Sequence, residues 1–153
     1  MTVPAGRLAS TEEVSFQAKH HTTTTTTASN TNTTTATTSS IHLSSGETLV
    51  LPVVLNNHGH SYDSATGHFT APTSGTYFLL ASTQSAAGGR AGLRLVLNGV
   101  PVQEVSMGSS GQSGSVHVVV HLQKGQEAWL ESVGDSDYLP EATAFGGFLA
   151  GRN

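Results

Sequence analysis

Residues 57–78 read NHGHSYDSATGHFTAPTSGTYF, and the spacing of glycine, proline and aromatic residues along them decides the fold. Gly67 and Gly75 stand where turns need backbone geometry closed to residues bearing a Cβ. Pro72 has no N–H to give a sheet ladder, so it ends the strand that begins at His68. On either side, short runs rich in Thr, Tyr, Phe and Leu fit a pleated, half-buried surface. The stretch therefore reads as one strand, a turn, and a second, longer strand.

The same punctuation continues outward in both directions. Apolar runs are cut by Gly, Pro, Asn and Ser clusters every eight to twelve residues, and no amphipathic helical period lasts beyond a turn or two. This predicts an all-β sandwich or barrel with strands over 14–19, 48–55, 68–71, 75–83, 93–98, 101–106, 115–123, 127–133 and 143–150. Asn98-Gly99 is the strongest short hairpin signal, since both residues accept positive φ, and Lys124-Gly125 predicts a second turn. In 116–123, Val116, Val118, Val120 and Leu122 make a core face, and His117, Val119, His121 and Gln123 make a mostly polar one. Tyr77, Leu79 and Ala81, in contrast, share a strand with Phe78 and Leu80 on its other side, and 49–55 is apolar on both sides. A strand with two apolar faces needs a second partner, either a neighbouring subunit or a central place in a monomer.

Composition removes whole classes of function. The chain has 153 residues, enough for one domain with its own core. Net charge is −4, and the six Lys plus Arg are scattered singly, so no basic stripe for nucleic acid exists. Zero cysteines exclude a disulfide scaffold, a thiol catalyst and cysteine-based metal centres. No apolar run approaches the ~18 residues of a membrane-spanning helix, and the first nineteen residues hold no apolar core of signal-peptide type. Charged residues are only 10% of the chain, and Thr and Ser take their place. Twelve of the seventeen residues in 22–38 are Thr, and no Asp, Glu, Lys or Arg occurs in 20–46.

Several motifs together resemble a known family. In the opening stretch these are Tyr62-Asp63, then Thr66-Gly67-His68-Phe69, then Pro72-Thr73-Ser74-Gly75-Thr76-Tyr77. Val14-Ser15-Phe16-Gln17-Ala18 is similar to that family's first strand and Leu97-Asn98-Gly99 to its central hairpin. Ser113-Gly114-Ser115-Val116 with His121-Leu122, Trp129-Leu130, and Phe145-Gly146-Gly147-Phe148-Leu149 follow in order. The family is the globular head of complement component one q, related to the tumour necrosis factor ligands. The resemblance implies a ten-stranded antiparallel jelly-roll sandwich that forms a homotrimer and recognises partners through exposed loops, not through a catalytic cleft. It implies a single domain over 14–151, preceded by an extension at 1–13, carrying a Thr-rich insertion at 20–46 and ending in a tail at 152–153. Tyr77, Phe78, Leu80, Phe145 and Phe148 are expected to fill the core or the trimer interface. Gly146 and Gly147 would let the last strand approach a neighbour closely. The sequence departs from the family in three places: the loop at 106–112 lacks the carboxylates through which many relatives hold calcium, Gly125-Gln126 replaces the usual Gly-Asp turn, and these residues include no collagen-like stem, which is absent or lies outside this chain.

Catalytic signatures are absent: there is no G-x-S-x-G elbow, phosphate loop, dinucleotide fingerprint or H-E-x-x-H pair, and no cofactor is expected. Two clusters have metal-ligand chemistry. His58 and His60, with His68 nearby, are candidate transition-metal ligands that a threefold axis would triplicate; read plainly, they are polar loop residues. Asp135 and Asp137, with Glu141, are hard oxygen donors for a divalent cation, or a solvated acidic loop.

The Thr tract reads as a flexible insertion between the first two strands, or as extended ribbons packed around a trimer axis. In an exported protein Asn32-Thr33-Thr34 would be a glycosylation acceptor. Two functional classes follow. A chain starting at Met1 with no signal and no cysteine suits a structural, decoration or adhesion component of a larger particle, such as a bacteriophage virion's head fibre, capsid or tail. The alternative is a secreted animal-type recognition protein, extracellular and binding sugars, proteins or microbial surfaces. Either way the expected partners are copies of the chain itself and a particle protein or surface ligand, with no nucleic acid and no membrane insertion.

Overall fold

The computed structural model describes residues 13–20 and 40–152. Twelve strands lie among them: β1 Ser15–Lys19, β2 Ile41–Leu43, β3 Val53–His58, β4 Tyr62–Asp63, β5 His68–Thr70, β6 Gly75–Gln84, β7 Ala91–Leu97, β8 Val100–Met107, β9 Ser113–Leu122, β10 Glu127–Ser132, β11 Ser136–Tyr138 and β12 Ala144–Arg152. Ten of them form two five-stranded antiparallel sheets, ordered β3-β1-β12-β6-β9 and β4-β5-β10-β7-β8; β2 and β11 pair separately as a ribbon. This is the all-β, ten-stranded sandwich that the sequence implies.

Alternation along the strands builds the core. Tyr77, Leu79 and Ala81 of β6 point inward, as do Val116 and Leu122 of β9, Leu93, Leu95 and Leu97 of β7, and Ala128 and Leu130 of β10. At the centre Phe16 of β1 stacks on Tyr62 (5.3 Å between centroids) and on Phe69 (5.0 Å), and meets Phe145 edge-on at 5.0 Å. Offset and edge-to-face pairs of this kind are the preferred aromatic geometries. Two buried phenol hydroxyls are satisfied: Tyr62 accepts the Leu51 N–H at 3.1 Å, and Tyr138 donates to the Gly92 carbonyl. Burial pushes both phenols above their ordinary titration range.

An amide side chain ties the two sheets together at each open edge. Asn57 on edge strand β3 both donates to and accepts from the backbone of Tyr62 on edge strand β4, at 2.9 and 3.0 Å. At the far edge Gln103 of β8 accepts the His117 N–H of β9. These clasps occupy backbone groups that edge strands would otherwise leave free to recruit other chains.

The turns follow the sequence reading closely. Asn98 (φ 50°) and Gly99 (φ 85°) join Leu97 to Val100 in a two-residue hairpin. Gly67 has φ +79°, and a Cβ there would lie 2.7 Å from the Leu49 carbonyl oxygen. Gly67→Ala is expected to destabilise the domain by about 2–4 kcal/mol in urea unfolding, left-handed strain and steric overlap adding together. Gly75 corrects the expectation: its φ is not positive, and what it needs is space, since a Cβ would strike the Gly151 carbonyl on β12.

Other differences have physical causes. The strand expected over 48–55 begins only at Val53. Leu49 and Leu51 are buried, but their N–H groups bond to the Leu130 carbonyl and the Tyr62 hydroxyl, so this segment crosses between sheets without joining a ladder. Part of the stretch read as insertion, Ile41–Leu43, is a strand paired with Ser136–Tyr138. The Thr run at 22–38 and Asn32 lie outside the described residues.

Candidate functional site

The outer face of the first sheet carries the most distinctive surface. Strand register sets Ser15, Phe148, Phe78 and Val119 in one row across β1, β12, β6 and β9, and Gln17, Gly146, Leu80 and His117 in the next. Val119 is 64% exposed, Phe148 48% and Leu80 42%, with Leu55 at 62% on the bulge of β3. Phe78 and Phe148 pack ring against ring at 5.6 Å. A hollow of about 330 Å³ opens beside them, lined by Gln17, Asn56, Phe78, Leu80, Gly146 and Phe148. Singly exposed apolar residues are ordinary; a contiguous cluster around a hollow marks an interaction surface.

Of the five residues expected in core or interface, Tyr77 and Phe145 are core, at 0% and 1% exposure, whereas Phe78, Leu80 and Phe148 belong to this outer patch. The strand with two apolar faces is therefore covered on one side only. Sequence reading missed Val119 and Leu55. Val119 carried a usable signal as the one apolar residue on its strand's polar face; Leu55 is placed by a bulge that no periodicity reveals.

Charge divides the two sheets. No Asp or Glu lies on β1, β3, β6, β9 or β12; Glu13 stands just before β1, beside Arg152 and Phe148 at one end of the sheet. The second sheet turns Asp63, Glu104, Glu127 and Glu131 outward, with Trp129 among them. Trp129 donates its indole N–H to Glu131 at 2.9 Å and stacks on His68 at 4.5 Å. His68 in turn bonds Glu127 at 3.1 Å.

The metal-ligand clusters do not assemble as expected. His58 and His60 are exposed about the tight turn at Gly59, whereas His68 faces outward on the second sheet, held by Glu127 and Trp129. Asp135 accepts the Ser45 N–H at 3.3 Å, and Asp137 bonds His42 at 2.8 Å. Among the described residues no group of three His, Asp or Glu is placed to hold a metal ion. These acids instead fasten the β2–β11 ribbon. The bond to Asp137, helped by its charge and those of Asp135 and Glu47, raises the His42 imidazole above its ordinary value. A raised folded-state value stabilises fully below about pH 6.5, and the contribution fades as pH rises through it. Amide exchange in the ribbon, normalised to intrinsic rates, is expected to quicken between pH 6 and 8, and His42→Ala should abolish that dependence.

Residues 16–150 match the family described as the C1q domain. The chain belongs to the C1q domain family. It is 36% identical to mouse multimerin-2 over 115 residues, covering 69% of this chain and 12% of that protein. It is 33% identical to bovine protein HP-25 homolog 1 over 115 residues, covering 70% of this chain and 52% of that protein. The chain thus spans about half, or far less, of the relatives it matches. Among solved structures, the globular domain of zebrafish complement 1qA protein superposes with TM-score 0.64 at 22% identity, covering 93% of this chain and all of that one. The Eiger TNF structure from S. frugiperda gives 0.63 at 12% identity, covering 93% and 95%. At these identities the structures speak for the jelly-roll fold alone. C1q domains are recognition and structural modules, generally without enzymatic activity, and they typically form trimers. The relatives are animal proteins, so the virion-decoration reading gains no support from them, and the secreted recognition reading is the better backed.

Proposed function

We propose that this C1q domain is a non-enzymatic, extracellular recognition module that works as a homotrimer, assembled through the outer face of its first sheet. The observation carrying this reading is the exposed cluster of Phe78, Leu80, Val119 and Phe148 around the Gly146 hollow. A sheet whose strands carry no carboxylate can bring its central apolar patch against copies of itself, and the acidic second sheet stays outside. A cyclic trimer needs two different patches on each subunit that fit one another, and a hollow beside protruding apolar side chains supplies both shapes. Ligands of the surface glycan or protein class would then meet the loops and the outward sheet, as the family resemblance implies.

Light scattering at micromolar concentration tests the reading. Three times 15.8 kDa, about 47 kDa, is the expected mass; a stable monomer overturns both the assembly and the function built on it.

A further inference from the structure

The exposed patch contains one titratable side chain. His117 of β9 stands opposite Leu80 in register, two residues from Val119, with its ring 6.4 Å from that of Phe78. Whatever covers Phe78, Leu80 and Val119 also covers this imidazole. Charged neighbours offer no relief. The outward residues of β6 here are Thr76, Phe78, Leu80 and Ser82, none of them ionisable. Across the sandwich edge β8 presents Gln103, which accepts the His117 N–H, while Glu104, its one acid, turns to the other face opposite Arg94. The other titratable groups on this sheet's strands, His121 on β9, His58 on β3, Lys19 on β1 and Arg152 at the end of β12, are cations or imidazoles.

We propose that His117 gates self-association by pH, so that the trimer holds in neutral solution and comes apart in mildly acidic solution. The inference rests on the homotrimer proposed above and adds regulation to it. The physical cause is desolvation: a neutral imidazole can be covered by apolar surface, whereas an imidazolium covered there has lost water and gained no counter-charge. In the open subunit the imidazole is exposed to water. Assembly therefore binds fewer protons than the separate subunits, and acid pulls the equilibrium toward the latter. Threefold repetition makes the response steep, up to about a thousandfold in association constant per pH unit in the acid range, tenfold for each of three imidazoles.

Light scattering of the full chain at pH 7.5 and pH 5.0 tests this, with circular dichroism at both values to follow the fold. The wild type is expected to be trimeric at pH 7.5 and largely dissociated but folded at pH 5.0; His117→Gln and His117→Asn should stay trimeric at both. A wild type that remains trimeric at pH 5.0, or substituted chains that dissociate just as it does, overturns the gate and leaves the trimer standing. A wild type already monomeric at pH 7.5 overturns both.

Discussion

Phe16→Ala is expected to lower the unfolding free energy by about 3–5 kcal/mol, the largest effect of any single core substitution in this domain. Phe16 is 2% exposed, and three other rings close around it: Tyr62 and Phe69 stacked, Phe145 edge-on. These rings come from β4, β5 and β12, so the side chain joins both sheets. Removing it forfeits the burial of a whole phenyl group and leaves a void that three rigid neighbours, each held in a ladder, cannot collapse to fill. For a domain of this size the loss corresponds to roughly 6–20 °C in Tm. Urea unfolding measures it best in an assembly-deficient background, because association would otherwise add a concentration-dependent contribution. A loss below about 1 kcal/mol would mean the aromatic cluster is not the keystone of the core.

Leu80→Glu is expected to convert a 47 kDa trimer into a folded monomer of 15.8 kDa. Leu80 lies at the rim of the hollow, 42% exposed in the single chain, so the substitution is harmless to an isolated subunit. In the assembly it places three carboxylates beside the apolar side chains of Phe78 and Phe148, on a sheet whose strands carry no acid. An unpaired buried charge costs about 3–5 kcal/mol, which repeated at three contacts exceeds what a micromolar association can absorb. Leu80→Val, which keeps the apolar surface, should remain trimeric. A Leu80→Glu chain that still sediments as a trimer at unchanged thermal stability would locate the interface elsewhere.

Legibility in the sequence divided along physical lines. Where a local rule suffices, the reading and the structure agree: Asn98-Gly99 makes its hairpin, Pro72 follows the end of β5, and the alternation of Val116 to Leu122 gives a half-covered strand. Elements defined only by distant partners were not visible. Ile41–Leu43 is three residues long and exists because Ser136–Tyr138 lies beside it. The two-residue strand Tyr62–Asp63 is likewise held by Phe69 and His68. Leu49 and Leu51 have the burial of strand residues without the pairing, a combination that hydrophobic pattern cannot distinguish from a strand. The candidate site was half legible. Phe78 and Leu80 announced themselves because Tyr77 and Leu79 had already claimed the inward side. Closeness in sequence does not place side chains on one sheet: His68 lies on the sheet opposite that of His58.

The strand order carries a lesson about how this domain comes into being. The C-terminal strand β12 sits in the middle of its sheet, between β1 and β6. A ribosome delivers it after the other described strands, so until residues 144–152 emerge, β1 and β6 have no shared neighbour and Phe16 lacks Phe145. The sheet therefore closes only after those strands have been made, over a loop of well over a hundred residues, a topology that folds slowly and leaves sticky edges open in the interval. Loss of residues 144–152 would remove a central beam from the fold, and cells making such a chain would register it as a misfolded protein.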